Sequence, residues 1–392
     1  MIKTPNIIIA LGSAIMIMSG CVSPPKTIVW DPDSNESIKH FQQPVVAETE
    51  KDYALIELWR AQLFFENGDR QHSDERLRNA LGVMEQIESD SREASAVVVA
   101  EQLRTYRGQP YERATAYFYR GLCHFQLGHY EQALAAFRAT LAEDEETNNK
   151  EPSKRKDYVA AYYMAAECHK LLGEIPESNA MLASARELFP ENPLLKPESL
   201  QGNLIIVAGV GVGPWMKEGA FWTVEFNAGV VPEGKYCVLE QDTTCGQLYE
   251  ATDLLVQADS HKPGSATGAA IGRAVGKEVA NAFLSALAGR DAGLHEHRDL
   301  RCWSGMPRKL YIGSFNLPQG LHTLTFDIVA TEKQQAGADR YHQTWYDIPV
   351  QDNEHPQLLY VRLSSNRQNA HNLVPVPLQD VLAQKNANKN NK

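Results

Sequence analysis

Residues 114–141 read ATAYFYRGLCHFQLGHYEQALAAFRATL, and this stretch decides the fold of the first half of the chain. Its apolar residues recur at steps of three and four, the spacing that places side chains on one face of an α-helix. Gly128 and His129 interrupt the pattern, so the stretch predicts two amphipathic helices joined by a short turn. Small residues lie where two helices must approach closely, namely Ala114, Gly121 and Ala133.

The same stretch resembles one tetratricopeptide repeat. The residues that carry the resemblance are Tyr117, Gly121, Gly128, Tyr130, Ala133 and Phe137. Thr140 stands where the repeat usually has a small residue near the end of its second helix. One such unit cannot bury its own apolar face, so the resemblance implies neighbouring helix pairs and a surface that binds other molecules.

Two further helix pairs are predicted, one on each side of this stretch. The first covers residues 53–84 with a turn at Gly68, and the second covers residues 157–189 with a turn at Gly173. Pro190 ends the second pair, because proline does not continue a helix. Together with residues 114–141, these pairs predict an array of three helix pairs within residues 51–198.

Two segments interrupt the array. Residues 92–106 predict one additional helix between the first and second pairs. Residues 143–157 read EDEETNNKEPSKRKD, and this acidic and then basic run predicts a solvated loop.

A stack of three helix pairs creates a concave face, which such folds use to bind peptides or protein segments. The candidate residues for this partner-binding groove are Tyr117, Arg120, His124, Tyr162 and His169. The two histidines occupy equivalent places in successive pairs, and each follows a cysteine (Cys123 and Cys168). A metal site or a disulfide is one interpretation of this coincidence. The favoured one is small core cysteines beside packing or groove-lining histidines.

The length of the chain indicates the number of domains, and its charge limits the kind of partner. At 392 residues, the chain exceeds the size at which single cores stop growing, so two domains are expected. The net charge is −11 and no dense lysine or arginine stripe is present, which argues against a nucleic-acid partner.

The first residues, MIKTPNIIIALGSAIMIMSGC, resemble a bacterial lipoprotein signal peptide. Lys3 precedes an apolar run that is too short for a transmembrane helix, and residues 18–21 (Met-Ser-Gly-Cys) match the lipobox. The resemblance implies cleavage after residue 20 and lipidation of Cys21, including palmitate, which would anchor the protein to a membrane. Val22 follows where an inner-membrane retention signal has aspartate, so the periplasmic face of the outer membrane is expected. An ordinary secretory signal is the alternative.

The segments at the two ends of the mature chain lack apolar periodicity. Residues 21–50 predict a tether, and residues 364–392, which end in AQKNANKNNK, predict a disordered tail.

Residues 199–363 change pattern and predict a β-rich domain. Strands are predicted at residues 203–208, 220–226, 236–240, 248–257, 309–315, 321–330, 344–350 and 358–363. Short strands without alternating helices indicate a mainly antiparallel sheet or sandwich, so the fold class is α+β with two domains. The glycine-rich run at residues 209–213 is followed by another strand and not by a helix, so it predicts a hairpin and not a phosphate site.

Residues 264–289, GSATGAAIGRAVGKEVANAFLSALAG, predict a glycine- and alanine-rich helix with a smooth ridge. The ridge residues are Gly264, Gly268, Gly272 and Gly276. Packing against the C-terminal sheet is the favoured interpretation, and self-association into a homo-oligomer or membrane-surface contact is the alternative. The charges of Arg273, Lys277 and Glu278 argue against a bilayer span.

The chemistry-bearing residues give a weak case for an enzyme. Cys237 and Cys245 are a possible disulfide pair, since the periplasm permits disulfides. His295, His297 and Cys302 do not match a zinc-site spacing, so neither a metal nor another cofactor is predicted. No nucleophile elbow, His-Glu-x-x-His motif or P-loop occurs in the sequence.

The order of segments also resembles an uncharacterised family of bacterial lipoproteins that contain tetratricopeptide repeats. The residues are GNLIIVAGVGVGP (202–214), the glycine-rich helix, and DLRCWSGMPRKLYIGSFNLPQGLHTLTF (299–326). The resemblance implies architecture and envelope location, and no catalytic residue. The leading hypothesis is a non-enzymatic adaptor that binds a protein or peptide partner in envelope assembly, export or maintenance. The alternatives are an envelope enzyme that acts on glycan or peptidoglycan through the β domain, and an oligomeric structural component.

Overall fold

The computed structural model describes residues 51–85, 105–145, 158–218, 224–241, 243–260, 300–330, 343–350, 355–363 and 369–370. Several predictions lie outside these residues: the signal peptide with Cys21, the tether, most of the helix at 92–106, most of the loop at 143–157, the glycine ridge and most of the tail. Among the described helices, none is both long enough and apolar enough to span a bilayer.

Six described helices form the first half, as three consecutive antiparallel pairs. They are α1 (Tyr53–Glu66), α2 (Arg70–Met84), α3 (Pro110–Gln126), α4 (Tyr130–Glu145), α5 (Val159–Leu171) and α6 (Ile175–Leu188). Besides the contacts within pairs, α2 packs on α3 and α4 packs on α5, so the pairs stack into one array. The three predicted helix pairs are therefore confirmed.

Glycine residues fix the turn of each described pair. Gly68, Gly128 and Gly173 have φ angles of 84°, 76° and 80°, in the left-handed region that side chains disfavour. A further glycine, Gly121, permits close approach of α3 and α4. A Cβ atom built at Gly121 would lie 2.4 Å from Cε1 of Phe137, which explains the small residue at this position.

Ten described strands form the second half, and two short 3₁₀ turns (Pro193–Leu195 and Pro197–Gln201) lead into them. The strands are β1 (Leu204–Val210), β2 (Trp215–Glu218), β3 (Val224–Asn227), β4 (Gly234–Glu240), β5 (Thr243–Asp253), β6 (Lys309–Phe315), β7 (Gly320–Ala330), β8 (Gln343–Val350), β9 (Gln357–Leu363) and β10 (Asn369–Ala370). Eight of them make one sheet in the order β10-β8-β7-β4-β5-β6-β1-β9, and β2 pairs with β3.

The sheet is mainly antiparallel, as predicted, although β1–β9 and β8–β10 are parallel pairs. Two details of the prediction are wrong. Residues 254–257 belong to a short helix, α7 (Leu254–Ser260), and do not extend the strand before them. Residues 209–213 do not form a hairpin, because β2 pairs with β3 and not with β1.

The described residues contain two buried apolar clusters. One lies within the sheet, where the rings of Tyr236 on β4 and Tyr311 on β6 have centroids 4.1 Å apart although β5 separates their strands. This cluster therefore joins side chains of strands that are not direct neighbours in the sheet. The other cluster is shared by both halves and runs from Phe118 of the helices to Trp303 and Tyr360 of the β-rich half. The α+β fold class is confirmed, and the two halves bury one common core.

Candidate functional site

The first helix of each pair turns one face towards the β-rich half. On this face the hydroxyl groups of Tyr119 (α3) and Tyr360 (β9) are 2.8 Å apart and hydrogen-bonded. The Phe65 ring of α1 meets both tyrosine rings edge-on, with centroid distances of 4.8 and 4.9 Å. Gln126 at the end of α3 donates to the Leu358 carbonyl oxygen at 2.7 Å. Strand β9 therefore packs directly on the helical array.

Residues 302–307 fill the same face beside β9. Trp303 is fully buried, and its indole Nε1 donates to Oε1 of Gln62 at 3.0 Å. The backbone N–H of Trp303 donates to Glu112, and Nε2 of Gln62 donates to the Gly305 carbonyl oxygen. A Cβ atom at Gly305 would lie 2.5 Å from Trp59 and Gln62. The helices therefore hold residues 302–307 by close packing and by hydrogen bonds with side chains of α1 and α3.

The Glu112 carboxylate accepts two backbone hydrogen bonds in this arrangement. One carboxylate oxygen accepts the Gln109 backbone N–H at 2.6 Å and so caps the start of α3. The other accepts the backbone N–H of Trp303. A residue in the first turn of the helix thus also holds the docked segment.

Two buried arginines complete this contact. Arg70 places its guanidinium 4.0 Å above the centre of the Phe65 ring, and burial lowers the pKa of Arg70 to about 10. Arg362 on β9 donates through Nη2 to the carbonyl oxygens of Gly211 at 2.8 Å and Met306 at 3.2 Å. Burial alone would lower the pKa of Arg362, but the electrostatic effects of Tyr360 and Glu66 outweigh it and raise that pKa. Arg362 therefore stays charged and fixes β9 against residues 302–307.

These contacts show which face of the helical array the β-rich half covers, and the predicted partner-binding groove stays a prediction. β9 and residues 302–307 pack on α1 and α3, and β5 and β6 pack on α5, so the described part of the β-rich half covers this face of the first helices. The reason is the shared core, since apolar residues of both halves exclude water from this face.

Three of the five candidate groove residues lie on the side of α3 that contacts α2. Arg120 donates through Nε to Oδ1 of Asp74 at 2.8 Å, and Nε2 of His124 lies 3.3 Å from the same oxygen. Tyr117 donates to Glu85. Burial raises the pKa of Asp74, but the hydrogen bonds from His124 and Arg120 outweigh this and bring it down to about 2. The three residues thus link successive helix pairs, and their role in partner binding stays a prediction.

The other two candidates lie on α5. Tyr162 is partly buried against the shared core. His169 is 2% exposed and lines a solvent-open cleft between α4 and the turn from α5 to α6. The cleft has a volume of about 420 Å³. His169 is therefore the candidate groove residue that the structure places at an open concave surface.

Side chains from three helices line this cleft. Leu134 and Leu172 form an apolar floor, and Arg138 lies beside them. The remaining charged residues of the wall are Glu131, Glu174 and Glu177. The cleft therefore combines a few apolar side chains with charged groups of both signs.

The hydrogen bonds of His169 determine its tautomer. Nδ1 lies 2.6 Å from Oε2 of Glu174, and Nε2 lies 3.2 Å from Nη2 of Arg138. Because a guanidinium only donates, Nε2 must accept and Nδ1 must carry the proton. These two contacts orient Arg138 and Glu174 within the cleft.

The two cysteines that precede the histidines are core residues. Cys123 and Cys168 are fully buried, and burial raises the pKa of both thiols, that of Cys123 to about 12. Among the described residues, no three histidine, cysteine or acidic side chains are grouped to hold a metal ion. Cys237 and Cys245 lie on neighbouring strands as free thiols, and Cys237 pairs in register with Gln247. Their disulfide stays a prediction.

Comparison with known proteins identifies the repeat. The sequence model of the tetratricopeptide repeat family matches residues 114–147, so the chain contains at least one such repeat. No curated protein sequence matches the chain significantly.

Solved structures of tetratricopeptide-repeat proteins are similar to part of the chain. The first repeat domain of Spaghetti (RPAP3), bound to an HSP90 peptide, has 15% identity and a TM-score of 0.25 and covers 38% of this chain and 92% of its own. The type III secretion translocator chaperone SycD of Yersinia enterocolitica has 18% identity and a TM-score of 0.24, with 39% and 86% covered. PcrH from Pseudomonas aeruginosa has 17% identity and a TM-score of 0.23, with 40% and 86% covered.

Proposed function

We propose that this protein is a non-enzymatic, lipid-anchored envelope adaptor that binds a protein or peptide partner through the outer surface of its helical repeats. The observation that supports this proposal is the cleft between α4 and the α5–α6 turn. It is a concave surface on the repeat array, and none of the described residues of the β-rich half lines it. The repeat family that matches residues 114–147 forms stacked arrays whose extended surfaces serve for binding, which makes protein binding the natural role for this half.

We place the partner on the outer surface because the face formed by α1, α3 and α5, called the inner face below, is already covered by the β-rich half. Trp303, Gly305 and β9 cover α1 and α3 with buried apolar and hydrogen-bonded contacts, and β5 and β6 pack on α5. A partner that used this face would have to remove part of the protein's own core. The cleft requires no such rearrangement, because Arg138 and Glu174 are already held in place by His169.

The anchor rests on the sequence of residues 1–21. Acyl chains on Cys21 would place the repeats at the periplasmic face of the outer membrane. Palmitate labelling and membrane fractionation of the full chain test this part. Labelling should disappear and the protein should leave the membrane fraction in Cys21→Ala, and an unlabelled wild-type protein would contradict the anchor.

Site-specific crosslinking in intact cells tests the adaptor itself. The photo-crosslinker p-benzoylphenylalanine is placed at Ala135, an exposed residue of the cleft, in the full chain. Ala183 on α6 is likewise an exposed alanine but does not line the cleft, so it serves as the matched control position. We expect a discrete adduct from Ala135 that Ala183 does not give, with one identified protein in it. Identical adducts from both positions, or none from Ala135, would refute binding at the cleft.

A further inference from the structure

The charges of the cleft are unbalanced. Its wall carries three carboxylates, those of Glu131, Glu174 and Glu177, against the guanidinium of Arg138. Even with a positive charge on His169, the three carboxylates outnumber the two cationic side chains. The cleft is therefore net negative around its apolar floor.

Two of these carboxylates are available to a ligand. Across the part of the chain that the structure describes, neither Glu131 nor Glu177 makes an ion pair, and both are exposed. Glu174 differs, because it already accepts from His169 at 2.6 Å. Glu131 stands in the first turn of α4 and Glu177 in the first turn of α6, and both line the cleft together with Leu134 and Leu172.

Arg138 offers a complementary group. Its Nη2 is engaged by His169, and its remaining N–H groups are donors without an acceptor among the described residues. A backbone carbonyl oxygen is the acceptor that every extended peptide supplies. Because His169 is buried and fixed by Glu174, the guanidinium is held in place before a ligand arrives.

We infer that the cleft binds an extended peptide segment that carries lysine or arginine side chains. One cationic side chain reaches Glu131 and another reaches Glu177, an apolar side chain between them packs on Leu134 and Leu172, and a backbone carbonyl accepts from Arg138. This inference rests on the proposed adaptor function and adds the chemistry of the partner. It predicts that affinity falls as salt rises, since exposed charges make the contact.

Fluorescence anisotropy with two designed peptides tests the inference. The probe is a fluorescein-labelled peptide of sequence Gly-Lys-Ala-Leu-Ala-Lys-Gly, and the control peptide has glutamate in place of each lysine. The full chain in detergent should bind the lysine peptide and not the glutamate peptide. Equal binding of the two peptides, or binding of neither, would overturn the inference.

Charge-matched variants locate the binding. The double variant Glu131→Gln and Glu177→Gln should weaken binding of the lysine peptide roughly tenfold, because two exposed charge contacts are lost. The double variant Glu187→Gln and Glu198→Gln removes the same charge at exposed positions outside the cleft and should change affinity by less than about twofold. Similar weakening in both variants would show nonspecific attraction to an acidic protein and would also overturn the inference.

Failure of this inference can be separated from failure of the proposed function. If crosslinking at Ala135 captures a partner while the lysine peptide does not bind, the adaptor stands and the basic ligand is wrong. If crosslinking at Ala135 gives no adduct, the adaptor proposal itself fails.

Discussion

Trp303 provides the sharpest test of the shared core. Its indole is fully buried between the two halves, and Nε1 donates to Gln62 at 3.0 Å. The change Trp303→Phe keeps an aromatic ring but removes this hydrogen bond. Trp345→Phe is the matched control, because Trp345 is 2% exposed, lies in the cluster within the sheet, and its indole N–H has no hydrogen-bond partner among the described residues.

The two variants differ in one energetic contribution. Both lose part of an indole ring from a packed core, which leaves a similar small cavity. Trp303→Phe in addition leaves the buried Oε1 of Gln62 without its donor, and this costs about 1–3 kcal/mol. Trp345→Phe removes a donor that had no partner among the described residues, so this contribution is absent. We therefore expect Trp303→Phe to lower the free energy of unfolding by about 1–3 kcal/mol more than Trp345→Phe.

Urea unfolding of the full chain carrying Cys21→Ser measures this difference. Far-ultraviolet circular dichroism follows the helices, and hydrogen exchange of the β9 amides follows the sheet. Because Trp303 belongs to a core that both halves share, both probes should shift together in Trp303→Phe. Equal losses in the two variants would refute the hydrogen-bonded anchor. A shift of the helical transition alone would refute the shared core.

Two further predictions concern the helical array. Gly121→Ala should destabilise the protein by about 1–3 kcal/mol in thermal unfolding, because the new methyl group would overlap the Phe137 ring. The control Gly82→Ala should be neutral or stabilising, because nothing lies within 4 Å of a Cβ atom built there. A neutral Gly121→Ala would show that α3 and α4 do not approach this closely. Burial raises the pKa of Glu167 to about 7, although Lys170 acts to lower it. The folded state therefore holds this proton more tightly than the unfolded state, and the resulting stability is fully present below about pH 4.5 and is lost as the pH rises through about 7. The free energy of unfolding of Glu167→Gln, measured in urea, should not show this decline as the pH rises. If it depends on pH as the unsubstituted protein does, the raised pKa of Glu167 is contradicted.

Much of the fold is predictable from the sequence because it depends on local patterns. The helix pairs follow from three- and four-residue apolar spacing, and the turn glycines at 68, 128 and 173 give their register. Alternation within residues 320–330 likewise predicts a strand, since one face is buried. These signals lie within a short stretch of sequence and need no knowledge of distant parts of the chain.

The candidate site is less predictable because it depends on distant contacts. Nothing in the sequence around Trp303 shows that it packs on Gln62, 241 residues away. The cleft likewise depends on the packing of α4 against the α5–α6 turn, which brings Arg138 to His169. The spacing of Glu131 and Arg138 places both residues on one face of α4, and this is visible in the sequence. A charged helix face is usually only solvated, however, so the spacing does not predict a cleft.

The two histidines at equivalent repeat positions also show that a local sequence pattern does not reveal which residues line the cleft. The sequence gives no reason to separate His124 from His169, because both follow a cysteine near the end of a first helix. In the structure His124 lies against Asp74 of α2, whereas His169 lines the open cleft. The difference comes from the neighbouring helix pair, which a local pattern does not describe.

The free energy needed to open the face formed by α1, α3 and α5 supports our proposal that a partner binds at the cleft. A partner at the inner face would have to displace residues 302–307, and loss of the Trp303 side chain from its site alone costs about 3–5 kcal/mol. Since each 1.4 kcal/mol is a factor of ten, the apparent affinity of that partner would fall roughly 10²- to 10⁴-fold before other contacts are counted. Binding at the cleft carries no such penalty, because Glu131 and Glu177 are exposed and Arg138 is already oriented. The array therefore uses the face formed by α1, α3 and α5 to hold its own β-rich half, which supports our proposal that a partner binds at the cleft.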